Sequence, residues 1–235
     1  MEIKEGNKRA VIVGASGLVG GYCLDYLLAH KAYQHIVSLG HRKLDVEHPK
    51  LSQEMVSFDD AKALNSLVKG NDLFICLGTT MSKAGNKEAF RKVDFDYILQ
   101  IAHSGMQNKM DQLLLVSSVG ADKNSLIFYN QVKGETEDAI KKLNFWSIHI
   151  FQPSILLGER PESRTGESIA KVLGKGLDFV LGGLLSKYRP VEAETVAKAM
   201  VAVAQNLNEG VHIYPSHYLN KLAEKEDELR RRLNI

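Results

Sequence analysis

What the chain has little of narrows its class first. Its 235 residues include two cysteines, Cys23 and Cys76, each alone on an apolar stretch, which leaves no disulfide framework and no CxxC metal site. Charge of one sign is not in excess. Thirty Lys and Arg face 28 Asp and Glu, for a formal net charge of +2, and such scattered charge makes no field for nucleic acid. No apolar run approaches the roughly 18 residues that span a bilayer. Residues 1–9, MEIKEGNKR, lack the apolar centre of a signal peptide. There is no internal repeat and no low-complexity stretch. Of the eight histidines, His30, His35, His41 and His48 fall on different predicted elements, and no pair has metal-helix spacing with a nearby carboxylate. These absences predict a cytoplasmic protein with no metal, no nucleic-acid partner and no membrane partner.

With 44% hydrophobic and 25% charged residues, a chain of this length can bury one sizeable core. Apolar runs at Ala10–Val13, His35–Leu39, Glu54–Phe58, Leu73–Leu77, Leu113–Ser117 and Ser147–Phe151 alternate with helical patterns at 18–29, 60–68, 86–107 and 131–143. Continuous apolar strands separated by helices predict an α/β fold, a doubly wound parallel sheet covered on both faces. After Phe151 the rhythm breaks. A loop of turn formers and charges, GERPESRTGE at 158–167, precedes helical patterns near 168–181 and 194–206, which predicts a small C-terminal lid or lobe. The tail 218–235 places Leu222, Leu229 and Leu233 near one stripe, with Arg230, Arg231 and Arg232 elsewhere, as in an amphipathic helix docked on the body.

The stretch VIVGASGLVGGYCLDYLL, 11–28, joins the first strand to the first helix through Gly14, Gly17 and Gly20. In a nucleotide cradle Gly14 ends the strand, Gly17 lets the backbone approach the pyrophosphate, and Gly20 lets the helix pack closely on the sheet. The helix's free N–H groups then point at the anion. A plain strand-turn-helix junction also uses glycine; the position after the first strand favours the cradle, and so predicts one Rossmann-type nucleotide-binding domain over 1–235, with 152–235 contributing lid and substrate-side elements.

The second strand runs into VSLGHRK, where His41, Arg42 and Lys43 stand in place of the acid that would hold the ribose hydroxyls of NAD. A guanidinium pairs with a 2′-phosphate through two parallel hydrogen bonds. The expected cofactor is NADP(H). Asp59 either meets the adenine amino edge or opens the next helix as its N-cap.

The reacting groups are expected at the carboxyl ends of later strands, in LGTT (Leu77–Thr80) and LLLVSSVGADKNSLIFYNQVKGE (113–135). There Ser117 and Ser118 precede Tyr129 and Lys133, which are four residues apart and so share one helix face. An ammonium beside a phenol stabilises the phenolate, so Tyr129 can exchange a proton with a carbonyl oxygen. Ser117 or Ser118 can hold that oxygen, and Lys133 can also reach the nicotinamide ribose. An exposed helical pair and turn-capping serines are the plain alternatives.

VGASGLVG (13–20), GHRKL (40–44), LGTTMSKAGNKEAFRKVDFDY (77–97), LVSSVGADKNSLIFYNQVKGETE (115–137), FQPSILLGERPESRTGE (151–167) and PVEAETVAKAM (190–200) together cover most of the chain. In these stretches it resembles the atypical short-chain dehydrogenases/reductases of the Tat-interactive-protein oxidoreductase family. The resemblance implies a single Rossmann-type domain, bound NADPH and oxidoreductase activity. Carried over by position, it implies cofactor contacts from Ser16, Gly17, Leu18, Val19, His41, Arg42, Leu77, Gly78, Tyr129, Lys133, Leu156 and Arg164, with Thr79 and Pro153 beside them. The chain departs from the family at His41-Arg42, commonly Arg-Arg, and at Gln152-Pro153, commonly Arg-Pro. Two functions stand open from the residues: a reductase of a small carbonyl substrate, or a module that senses NADPH and chooses a protein partner. Retention of both Tyr129 and Lys133 favours the reductase.

Overall fold

The run KRAVIV forms β1 (Lys8–Val13) in the middle of a sheet. The structure, a computed structural model, describes residues 6–158, 189–206 and 208–233. Along β1, Ala10 and Ile12 enter one apolar layer while Val11 and Val13 enter the opposite one. Both faces are buried, which is why this strand reads as a continuous apolar run. Next come β2 (Tyr33–Gly40), β3 (Leu51–Met55), β4 (Asp72–Ile75), β5 (Gln112–Val116) and β6 (Ser147–Gln152). The short strands β7 (Leu156–Leu157) and β8 (Val191–Glu192) pair with each other, and β9 (Gly210–Pro215) returns to the main sheet. Its order is β3-β2-β1-β4-β5-β6-β9, every pairing parallel.

Helices cover both faces. α1 (Leu18–Ala29) presents Val19, Cys23, Leu24 and Leu27, three and four residues apart, to the sheet. α2 (Ala61–Leu67) lies on the opposite face with Leu64 inward, after its N-cap Asp60 accepts from the backbone of Lys62 and Ala63. After α3 (Met81–Ala84) and α4 (Lys87–Arg91), a π-helical turn, Lys92–Tyr97, leads into α5 (Ile98–Gln107). α5 and α6 (Phe128–Ile140) share the face of α2, whereas α7 (Ala193–Val203) and α8 (Ser216–Leu233) pack on the face of α1. No described helix is long and apolar enough to cross a membrane.

The expected doubly wound sheet is present, with local differences. β3 occupies Leu51–Met55 instead of Glu54–Phe58, because its register from Ile36↔Leu51 to Gly40↔Met55 fills the open edge of β2. Val56 and Phe58, the apolar residues that prompted the later placement, turn into the core beyond the strand end. The helix expected over 86–107 is α4, the π turn and α5. β9 was not anticipated, since GVHIYP is largely exposed at the sheet edge and so lacks a continuous buried apolar run. The terminal helix does dock: Leu219 and Ala223 are buried, Leu222 packs against the core, and Lys198 pairs with Asp227 at 2.9 Å. The side chains of Leu229, Arg230, Arg231, Arg232 and Leu233 lie outside the described part, as do residues 159–188 with most of the expected lid.

At the amino ends of the strands a buried polar belt ties the C-terminal helices to the sheet. Lys8 Nζ donates to Asp72 Oδ2 and to Ala204 O, both at 3.0 Å. Gln112 Nε2 donates to Asp72 Oδ1 and again to Ala204 O, both at 3.0 Å, and the Tyr33 hydroxyl donates to Asp72 Oδ2 at 2.6 Å. Burial raises the Asp72 carboxyl above its ordinary range despite Lys8 and Tyr33. The opposite, carboxyl ends of the strands are left for a site.

Candidate nucleotide and proton-transfer site

Strand order reverses between β1 and β4, and in doubly wound sheets ligands bind at such a switch point, beyond the carboxyl ends. There the chain encloses a cavity of about 250 Å³, walled by 16–19 after β1, 76–80 after β4, Lys83, Asp94, Val116, Ser117, Tyr129, Lys133 and Leu156. A second hollow of about 160 Å³ reaches over the end of β2, between 14–16, 38–42, Leu44, Phe58 and Leu77. Ser16 and Leu77 wall both, so the two make one trough.

The glycines between β1 and α1 shape its floor. Gly14 has φ 85°, and a Cβ there would stand 2.5 Å from Cys76 O. At Gly20 a Cβ would stand 2.1 Å from Gly14 O, so only glycine lets α1 come this close to the strand. Gly17 is the N-cap of α1, and no side chain caps the helix and no acid occupies its first turn. The first-turn N–H groups therefore meet the trough without a side-chain acceptor, at the positive end of a twelve-residue helix. Such an end suits a phosphate.

At the β2 side His41 and Arg42 wall the hollow, and the His41 ring lies 4.6 Å from that of Phe58. Lys43 and Asp59 are not among the lining residues. Asp59 instead accepts from Lys92 Nζ and the Tyr97 hydroxyl, both at 3.0 Å, and these bonds, that of Lys92 first, hold its carboxyl below the usual range. It is not the N-cap either, because Asp60 takes that place.

At the other end Tyr129 and Lys133 project from one face of α6 into the larger cavity, with Phe90 behind the phenol at 5.5 Å. Lys133 Nζ lies 2.8 Å from Asp94 Oδ1, both side chains almost wholly buried. Asp94 Oδ2 accepts from Thr79 N at 2.8 Å. Burial opposes the Lys133 ammonium, but the Asp94 carboxylate first and then neighbouring Tyr129 outweigh it and raise the lysine above its ordinary value. Sequence reasoning passed over Asp94. It sits 39 positions from Lys133 with no spacing to link them, and only the fold brings the π turn beside α6. Thr80 and Lys83 on the cavity wall were missed likewise.

The two serines separate. Ser117 walls the cavity, yet its hydroxyl donates to buried Glu137 Oε1 at 2.6 Å. Ser118 does not line the cavity, and its hydroxyl approaches Val119 O at 3.4 Å. Gln152, at one of the two departures from the family pattern, grips Glu137 through both carboxylate oxygens at 2.9 and 3.1 Å. Pro153 stays off the cavity wall and its carbonyl accepts from Val119 N at 2.9 Å, and Gly20, also off the wall, lies where a Cβ would meet Gly14 O. Leu156, Leu77, Gly78 and Thr79 line the wall of the larger cavity. Arg164 lies outside the described residues.

No family model matches the chain. Rat protein HTATIP2 is 38% identical over 174 residues, 72% of each chain. Candida albicans "Protein FMP52, mitochondrial" is 34% identical over 201 residues, 83% of this chain and 86% of that one. Among solved structures, MoeE5 in complex with UDP-glucose and NAD superposes with a TM-score of 0.67 at 13% identity, over 94% of this chain and 81% of that one. That likeness shows the fold. The relatives correct the expected cytoplasmic location, since the FMP52 proteins of C. albicans, C. glabrata and Emericella nidulans are named mitochondrial. Two isolated cysteines do not single out the cytoplasm as a compartment.

Proposed function

The chain belongs to the family of the HTATIP2 and FMP52 proteins, atypical short-chain dehydrogenases/reductases, and from that premise we propose that it is an NADPH-dependent oxidoreductase reducing a small carbonyl substrate. The observation that carries this reading is the convergence of Tyr129 and Lys133 on a cavity that also receives the uncapped end of α1. The whole chain acts as one nucleotide-binding domain, with 152–235 contributing the substrate side.

The α1 backbone at Gly17, Leu18 and Val19 would hold the pyrophosphate, and Ser16, Leu77, Gly78, Thr79 and Leu156 would wall the cofactor. His41 and Arg42 would take the 2′-phosphate, which an acidic residue at this turn would repel. Lys133 would meet the ribose hydroxyls. The chemistry such a cofactor would supply when bound is hydride donation to a carbonyl carbon. Tyr129 donates its phenolic proton to the carbonyl oxygen as charge develops there, and the Lys133 ammonium stabilises the phenolate left behind. Ser117, the serine on the wall, can orient the substrate oxygen once its hydroxyl turns from Glu137.

Titration of NADPH and NADH into the wild type and Arg42→Ala tests the cofactor choice. One charge-assisted hydrogen bond is worth roughly 1.5–3 kcal/mol, so NADPH should bind roughly ten- to a hundredfold more tightly, and Arg42→Ala should lose most of that margin, blunted by Lys43. Equal affinity of the wild type for the two nucleotides removes the reading of this turn. Screening carbonyl classes for NADPH consumption then identifies the substrate.

A further inference from the structure

Asp94 is fully buried, and it carries a carboxylate into the cavity from the π-helical turn Lys92–Tyr97. π turns are uncommon and gather at functional sites. This one is clamped to α6 twice. The Thr136 hydroxyl donates to Asp94 O at 2.8 Å, and Lys133, three residues earlier on the same helix, meets Asp94 Oδ1 at 2.8 Å. Oδ2 is engaged by Thr79 N, whereas among the described residues Oδ1 receives no hydrogen bond from a neutral group and faces the ammonium. Gly78 makes the room: a Cβ there would stand 3.3 Å from Asp94 Oδ1 and 3.7 Å from Lys133 Nζ.

We propose that Asp94 is a positioning residue, the counter-ion that keeps Lys133 an ammonium and fixes it at the floor of the cavity, where it serves Tyr129 and the ribose. A lysine buried alone sheds its proton toward neutral pH, and a carboxylate buried alone takes one up; together they form a pair with no net charge. The other titratable groups acting on Lys133 are Tyr129 and Glu137 from its own helix, while Cys76, just past β4, and Lys83 on α3 line the same cavity. Tyr129 and Glu137 act on Lys133 in the same sense as Asp94. Among the described residues, Asp94 is the one acid in a direct ion pair with Lys133.

Only its consequence for turnover rests on the oxidoreductase reading; the ion pair is tested on the free protein. Acylation of Lys133 by limiting acetic anhydride is followed against pH by peptide mass spectrometry, in the wild type, Asp94→Asn and Asp94→Glu. The midpoint should fall by about one pH unit or more in Asp94→Asn and recover toward the wild type in Asp94→Glu. Identical midpoints in wild type and Asp94→Asn overturn the proposal. Should Asp94→Asn not fold, the wild type decides: Lys133 must titrate above the same lysine in the urea-unfolded chain, and a lower midpoint overturns the proposal. With an accepted carbonyl, the alkaline limb of kcat/KM should move to lower pH in Asp94→Asn, whereas loss of packing alone lowers rates without moving it. A shifted labelling midpoint with no NADPH consumption on any carbonyl supports the counter-ion and refutes the oxidoreductase reading.

Discussion

His149 lies wholly inside the protein on β6, and its pKa is pushed down to about 4 from 6.5, by burial first and by the neighbouring His212 second. Gln112 donates its Nε2 to Asp72 and Ala204 O, so its Oε1 is left to accept from His149 Nε2 at 3.2 Å, and Nδ1 accepts from the Tyr214 hydroxyl at 3.1 Å. The neutral ring is thus fully used. Because the folded pKa is depressed, the stability it contributes is complete above about pH 6.5 and is lost as pH falls toward 4, by roughly 3 kcal/mol at the limit. Urea unfolding at stepped pH should show this loss in the wild type and not in His149→Gln; parallel curves would contradict it. Legibility at this scale differs from residue to residue. Tyr129 and Lys133 stand four apart on one helix, so their meeting was readable from the sequence. Asp94, His149 and Asp72 look like any other polar residue until the fold brings partners distant in sequence to them.

The junction of β1 and α1 shows what an element owes to a single missing methyl. A Cβ at Gly20 would stand 2.1 Å from Gly14 O and 2.7 Å from Gly14 C, main-chain atoms and not the yielding end of a side chain. Gly20→Ala must therefore lift the helix end, at a cost of about 3 kcal/mol, which for a chain of this length lowers Tm by roughly 6–12 °C. The same displacement withdraws the first-turn N–H groups from the trough, so nucleotide affinity should fall with Tm. Calorimetry together with NADPH titration checks both, and a variant that melts with the wild type would remove the close-packing role. This junction was legible because glycine spacing is local. The π turn was not, since a pattern of apolar residues over 86–107 reads the same whether one extra residue is accommodated or none. The start of β3 was misplaced for a related reason: Val56 and Phe58 are apolar as a strand's residues are, but they serve the core from beyond the strand's end.

At the scale of the molecule, alternation of apolar strands with helices made the doubly wound sheet readable, because a parallel sheet buried on both faces leaves that rhythm in the sequence. β9 left little of it, being largely exposed at the sheet edge. Two ends of the sheet then have different tasks. The amino ends carry a buried polar belt that anchors α7 through Ala204 O, and the carboxyl ends hold an open trough in which helix end, basic turn, phenol and ammonium converge. On the proposed reading Tyr129 is the proton donor in that trough. Replacing it by Phe keeps the ring against Phe90 and leaves the backbone at α1 untouched, so NADPH affinity should stay within about twofold of the wild type. General acid catalysis contributes roughly 10²- to 10⁴-fold, and turnover of an accepted carbonyl at saturating NADPH should fall by about that factor. The measurement is the pair of values, Kd for NADPH and turnover, in wild type and Tyr129→Phe: unchanged affinity with a collapse of turnover is predicted, and turnover equal to the wild type would contradict the assignment.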